Sequence, residues 1–220
     1  MEAASPPQNA TPAAPAAPAP PALVFAESSP LGLLGLAVGC CALLPIAFGQ
    51  ALTPDAFRTA AMFCLLFGGG CQMLAGLMAL ANKNLLGGTL FTTFAFNWGM
   101  NAWTLFNIAE GKLPNPHIVF AVDACFLVVF VVLMFAFGYF SKLLFAFLLD
   151  IVVLFAFRIA NELLHTRAFA LPIALCTVAL AGIALWLALA VLLNSAAGRT
   201  VMAIPGPLFT PGPGAPPAGH

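Results

Sequence analysis

One apolar stretch of this chain carries hydroxyl and amide side chains spaced three or four residues apart: Thr89, Thr93, Asn97, Asn101, Thr104 and Asn107. A helix turns by about 100° per residue, so this spacing places all of them on one helix face. Such a face avoids lipid, and it either lines a polar path or forms hydrogen bonds with neighbouring helices. The repeated amides favour a path, with Thr93, Asn97 and Asn101 as its candidate polar lining.

Charged residues are scarce within the apolar stretches. Asp123 lies about one turn into the fourth stretch, shallow enough to reach the membrane interface. Arg158 and Glu162 are four residues apart in the fifth stretch, which predicts an ion pair between them. Asp150 has no partner at helical spacing nearer than Arg158. Because an intramembrane carboxylate is costly, its default interpretation is functional, and Asp150 is the candidate protonatable group. A neutral Asp150 that only packs is the alternative.

The other reactive residue types give no sign of catalysis. The six cysteines form no CxxC pair and lie in apolar stretches, as small buried hydrophobic residues do. The sequence contains no nucleophile–base pair and no glycine-rich phosphate loop. His117 and His165 lie at the ends of stretches, so facing haem ligands are not evident. We therefore predict a protein that is not an enzyme and that holds no metal and no cofactor.

The composition indicates a membrane protein. Of the 220 residues, 62% are hydrophobic and 6% are charged, whereas a soluble domain carries about 25% charged residues. So few charges cannot cover a globular surface in water, and we expect the lipid bilayer to be the solvent. The formal net charge is +0, which leaves no basic patch for nucleic acid.

Six apolar stretches approach the length of about 20 residues that a helix needs to cross a bilayer. They cover residues 31–50, 57–81, 85–108, 118–138, 143–164 and 169–194. Backbone groups cannot remain unpaired in lipid, so short loops should join complete helices. The predicted fold class is all-α, a polytopic membrane protein with six transmembrane helices per protomer.

The two ends of the chain differ from its centre. Residues 1–29 are rich in Ala and Pro, and residues 202–220 are rich in Pro and Gly, so both are predicted to be disordered tails around a transmembrane domain at 30–201. The first segment lacks the basic and apolar regions of a signal peptide. Positive charges are equally divided between the two sets of loops, so they do not determine the orientation.

Glycine and glutamine mark a second polar feature. Gly35 and Gly39 form a GxxxG pattern in the first stretch, which predicts close helix packing. In the second stretch, Gln72 shares a face with Gly69 and Gly76. Its amide both donates and accepts hydrogen bonds, so it could meet a carboxylate.

These residues also carry a resemblance. The segments FGGGCQMLAGL (67–77) and NLLGGTLFTTFAFNW (84–98) resemble the acetate uptake transporter family, which includes the bacterial succinate–acetate permease and the fungal ammonia/acetate export proteins. Residues 30–33 and 193–201 resemble the segments that open its first helix and close its sixth. The match runs in the same order from residue 30 to residue 201.

The resemblance implies a transporter of small monocarboxylates, acetate above all and succinate in some members, usually in symport with protons. It implies a homo-hexamer with a path through each protomer, in a plasma or inner membrane, with cytoplasmic termini. A hydrophobic constriction would fall at Leu36, Phe94 and Ile151, with Asn97 and Gln72 as donors on either side. The family more often has aromatic Phe and Tyr at the first two positions, and its opening Asn-Pro is replaced here.

Two other classes of function remain open. A passive channel for small neutral solutes or ammonia could use the same polar face in its lumen. A membrane scaffold that transports nothing could use that face for packing, with the Pro-rich tails as docking segments.

Overall fold

The computed structural model describes residues 24–210, which form six long helices and no strand. The predictions of disorder at 1–23 and 211–220 lie outside the described residues. Each helix begins and ends within three residues of its predicted bounds. The helices are α1 (Ser29–Ala47), α2 (Pro54–Ala81), α3 (Leu85–Ala109), α4 (Pro116–Gly138), α5 (Lys142–Leu163) and α6 (Ala170–Ala197).

Polar side chains fix the starts of four helices. Thr53, Asn84, Asn115 and Ser141 each accept a hydrogen bond, at 2.8–3.2 Å, from a backbone N–H two or three residues further on. A proline follows Thr53 and Asn115 directly, at a position where a helix needs no N–H group. The loops therefore lie where the sequence places its polar residues.

Five of the six helices are long and apolar enough to cross a membrane; α3 is the one that does not meet both conditions. Its 25 residues exceed the length of a span, but its Asn and Thr residues lower its apolar character. The outward faces of the helices carry large exposed apolar side chains, among them Leu66, Phe96 and Val128. The chain is thus a multi-pass membrane protein with five clear candidate spans, and the count of six remains a prediction.

The middle of α2 is a π-helix from Cys64 to Cys71. The backbone of this π-helix lies close against α1. The approach is so close that a Cβ atom added at Gly35 would collide with the carbonyl oxygen of Phe67. The predicted close packing of the GxxxG pattern is therefore present at Gly35. π-Helical segments are rare and occur frequently at functional sites.

The helices form a closed ring in chain order. α1 packs against α2 and α6, α2 packs along α3, α4 packs along α5, and α5 contacts α6; α3 touches α4 over a short stretch.

The two ends of the bundle are distinguished by the segments they carry. Residues 24–28 and 198–210 lie at one end, the terminal end. The distal end carries the loops 48–53, 110–115 and 164–169. α1, α3 and α5 run from the terminal end to the distal end.

The chain leaves α6 by a sharp turn. Gly198 has a φ of +60°, a left-handed conformation that glycine adopts without strain. The Asn194 side chain accepts hydrogen bonds from the backbone N–H groups of Val201 at 2.6 Å and Met202 at 2.9 Å. These bonds turn the chain back onto the bundle, which gives residues 193–201 a structural role.

The chain after this turn is anchored to the loop between α4 and α5. The Ser141 hydroxyl donates a hydrogen bond to the carbonyl oxygen of Pro205 at 2.7 Å. The ring of Phe209 packs against the rings of Tyr139 and Phe145, with centroids 5.4 and 5.8 Å away. This segment is therefore fixed to the terminal end by both hydrogen bonds and aromatic contacts.

The described part of the N-terminal segment is also bound. The side-chain oxygen of Asn82 accepts hydrogen bonds from the backbone N–H groups of Val24 and Phe25 at 3.0 and 2.9 Å. The prediction of disordered tails is therefore not confirmed for residues 24–29 and 202–210. The sequence pattern missed these contacts because the partners lie far away along the chain.

Candidate functional site: a central cavity that ends on aromatic rings

A cavity of about 530 Å³ lies between α1, α3, α5 and α6. Its wall extends from Phe94 and Ile151, in the middle of α3 and α5, to Ile108 and Arg158 near the distal ends of these helices. At a rise of 1.5 Å per residue, the distance from Phe94 to Ile108 is about 21 Å. The cavity therefore reaches from the middle of the bundle to its distal end.

The inner end of the cavity is apolar. Leu36, Phe94 and Ile151 belong to the main apolar core and are 1%, 5% and 1% exposed. Phe94 and Ile151 are part of the cavity wall, whereas Leu36 is not. Their joint role as the narrowest point of a path remains a prediction.

An aromatic cluster closes the space behind Phe94. The Phe94 ring lies 4.7 Å from the ring of Phe130 on α4, and Phe130 lies 5.3 Å from Phe155 on α5. Phe126, one turn before Phe130, lies 5.7 Å from Phe155. These rings fill the region where α3 and α4 touch only briefly. Sequence reasoning missed Phe130 and Phe155, because α4 and α5 contain so many phenylalanines that no single ring in them stands out.

The wall between Phe94 and the distal end is partly polar. Asn97 and Asn101 both line the cavity, and the Asn101 amide nitrogen lies 3.4 Å from the Asn97 side-chain oxygen. Thr177 of α6 also lines it, although its hydroxyl donates to the carbonyl oxygen of Ile173. Two of the three predicted polar lining residues of α3 are thus in the wall. The third, Thr93, is half-buried and outside it.

Trp98 is a large buried side chain of α3 that lies between α1, α2 and the cavity. Its ring lines the cavity and lies over Gly39 of α1 and Gly68 of α2. A Cβ atom at Gly68 would collide with the ring, and one at Gly39 would lie 3.0 Å from it. The two glycines therefore leave room for the indole. The Trp98 Nε1 atom is buried and has no hydrogen-bond partner among residues 24–210.

The cavity wall contains a charged group whose partner the sequence did not identify. Nε of Arg158 lies 3.0 Å from Oδ2 of Asp123 on α4, so the prediction of an Arg158–Glu162 pair is wrong. Asp123 is 5% exposed and thus buried within the bundle. A buried carboxylate requires a counter-ion, whereas Glu162 is exposed at the distal end.

Two other candidates lie outside the cavity wall. Asp150 precedes Ile151, and its Oδ2 atom is buried with no hydrogen-bond partner among the described residues. Gln72 is 1% exposed, and its Oε1 atom likewise has no partner there. Neither Asp150 nor Gln72 is in the wall of the cavity where a substrate could reach it.

The arrangement is suited to binding and guiding a small solute. It offers amides, a guanidinium and an indole along a cavity that ends on aromatic rings. Between residues 24 and 210, no group of three or more His, Cys, Asp or Glu side chains could hold a metal ion.

Comparisons with known proteins place the fold. No family model matches the sequence, and no curated protein matches it. Among solved structures, the bacterial acetate channel SatP has the same fold, with a TM-score of 0.74 and 23% sequence identity over 82% of this chain and 99% of that chain. The resemblance to acetate uptake transporters is thus confirmed at the level of the fold.

Proposed function

We propose that this protein carries small monocarboxylates such as acetate across a membrane, through the central cavity and the constriction of Leu36, Phe94 and Ile151. The observation that carries this proposal is a cavity that has Asn97, Asn101 and Arg158 in its wall and ends on the apolar side chains of Phe94 and Ile151, within the fold of an acetate channel. The amides of Asn97 and Asn101 are suited to donate hydrogen bonds to a carboxylate.

The cost of dehydration explains the order of groups along the path. A carboxylate that enters an apolar ring loses its hydration, which is expensive unless hydrogen bonds or protonation replace it. Asn97 lies one turn from Phe94 on the distal side, and Gln72 is the candidate donor beyond the ring. We include proton symport in the proposal, with Asp150 as the candidate protonatable group, because a protonated acid crosses an apolar ring at the lowest cost.

The proposal extends to the assembly and its location. We propose a homo-hexamer in a plasma or inner membrane, with one path per protomer, cytoplasmic termini and succinate as an additional substrate. The large exposed apolar faces of the helices support contact with lipid and with neighbouring copies.

Uptake of radiolabelled acetate into proteoliposomes tests the function. We expect saturable uptake that an acidic exterior accelerates and that unlabelled acetate competes with. Protein-free liposomes correct for diffusion of acetic acid through lipid. Uptake equal to this background, for protein that is folded and reconstituted, would contradict the proposal and favour a scaffold.

A passive channel is the second candidate. The solved protein with this fold is itself described as an acetate channel, which favours passage without a carrier cycle. Uptake that rises linearly with concentration and ignores the pH gradient would identify this mode. Flux of ammonia or another neutral solute without flux of acetate would indicate the neutral-solute channel.

A further inference from the structure

Arg158 is the one charged residue in the described wall of the central cavity. It lies on α5 seven residues beyond Ile151, and Asn101 lies seven residues beyond Phe94 on α3. α3 and α5 run in the same direction, so both side chains start about 10 Å from the constriction. A guanidinium and an amide therefore line the same depth of the cavity.

Two contacts hold the Arg158 side chain in place. Its Nε atom pairs with Oδ2 of Asp123 at 3.0 Å, and its guanidinium carbon lies 5.2 Å from the centre of the Phe155 ring. The Asp123 side chain is 8% exposed, whereas that of Arg158 is 30% exposed. The Nε edge of the guanidinium therefore faces Asp123, while the Arg158 side chain remains partly accessible in the cavity wall.

The free donors of Arg158 are suited to a carboxylate. The contact with Asp123 is made by Nε, and the terminal nitrogens Nη1 and Nη2 are the further donors of the guanidinium. Guanidinium groups bind carboxylates through two parallel N–H···O bonds, a geometry that an ammonium group cannot copy. Asn101 could donate a further bond from the facing helix.

We propose that Arg158 captures the substrate as its carboxylate anion, before the substrate reaches the constriction, and that Asp123 weakens this capture to a useful level. The inference rests on the proposed function and adds a specificity-determining residue to it. Asp123 neutralises most of the guanidinium charge, so the anion binds reversibly. A path requires binding that is favourable enough for entry and weak enough for release.

The test is the kinetics of acetate uptake by reconstituted variants. Arg158→Gln should raise the KM for acetate by about tenfold or more, the effect of losing a charged hydrogen bond, with little change in Vmax. Arg158→Lys should recover only part of the loss, since it keeps the charge without the fork. Asp123→Asn should lower the KM, because Arg158 then loses its internal competitor. Arg58→Gln is the matched control, because it removes a surface Arg at the distal end.

A double variant distinguishes loss of substrate binding from a folding defect. Arg158→Gln alone leaves Asp123 buried without a counter-ion, whereas the double variant Arg158→Gln/Asp123→Asn leaves a neutral pair that can still form hydrogen bonds. A KM for the double variant within twofold of the Arg58→Gln value would overturn the role of Arg158 and leave the transport function intact. If the wild type itself shows no saturable uptake, the proposed function fails. Thermal stabilisation of the purified protein by acetate then decides the inference: loss of it in the double variant supports Arg158, and retention overturns it.

Discussion

Replacement of Phe94 by Ala tests the constriction most directly. The Phe94 ring is 5% exposed, lies 4.7 Å from Phe130 and forms part of the inner wall of the cavity. Its removal extends the cavity towards the core, so longer carboxylates should pass. Each methylene that a tight apolar site rejects corresponds to about 1–3 kcal/mol, or 10-fold to 200-fold in rate. Butyrate has two more methylenes than acetate, so relief of even part of this rejection should be easy to measure.

The assay compares initial uptake of acetate, propionate and butyrate at concentrations below saturation. We expect the rate ratio of butyrate to acetate to rise by about tenfold or more in Phe94→Ala. Phe96→Ala is the matched control, because the same substitution two residues away removes a ring that is 68% exposed on the outer surface. Its ratio should equal that of the wild type.

Thermal unfolding separates selectivity from damage. Phe→Ala substitutions in cores cost about 3–5 kcal/mol, so Phe94→Ala should unfold at a lower temperature than Phe96→Ala, whose ring packs against few protein atoms. A Phe94→Ala protein that remains folded and keeps the wild-type order and ratio of substrates would refute the assignment of Phe94 to the constriction.

Three further predictions concern the surroundings of the path. In a background without native cysteines, Asn101→Cys should react with a small water-soluble thiol reagent faster than Thr93→Cys, and equal protection of both would show that the amides only pack. Asp150→Asn should change the shape of the normalised curve of uptake against pH while the protein remains folded; superimposable curves would remove Asp150 from the mechanism. Gly68→Ala should reduce the free energy of unfolding by the roughly 1–3 kcal/mol that overpacking costs, and so lower the melting temperature, because its methyl group collides with the indole ring of Trp98. Gly70→Ala is the control, because an added Cβ there has its nearest neighbour at 3.7 Å. Equal melting temperatures for the two alanine variants would contradict this packing.

The helices could be predicted from the sequence because their causes are local. Apolar stretches of suitable length predict the spans, and polar residues such as Thr53 and Asn84 mark where helices begin. Both signals act within a few residues of the chain. The amides of Asn97 and Asn101 also stood out locally, because few polar groups occur in an apolar helix.

The rotation of α3 could not be predicted in the same way. The periodic pattern placed Thr93, Asn97 and Asn101 on one lining. The observed wall contains Asn97 and Asn101 with Phe94, which was predicted beside them, and Trp98, which was not, and it lacks Thr93. The indole fits over Gly39 of α1 and Gly68 of α2, and a contact of this kind between distant helices leaves no trace in the spacing of polar residues along α3. Sequence spacing gives the angles between side chains on one helix. It does not show which face of that helix packs against neighbouring helices.

Partners that are distant along the chain were decided by tertiary structure alone. Local spacing joined Arg158 to Glu162, whereas packing of α4 against α5 gave Arg158 a buried carboxylate at Asp123. Composition made residues 202–210 a tail, whereas the loop at Ser141 binds them. The sequence by itself determined which segments are apolar helices and which polar groups they contain, since those properties depend on neighbours along the chain. Only the tertiary structure determined which polar groups meet, because packing brings together groups that are distant along the chain, as it does Arg158 and Asp123.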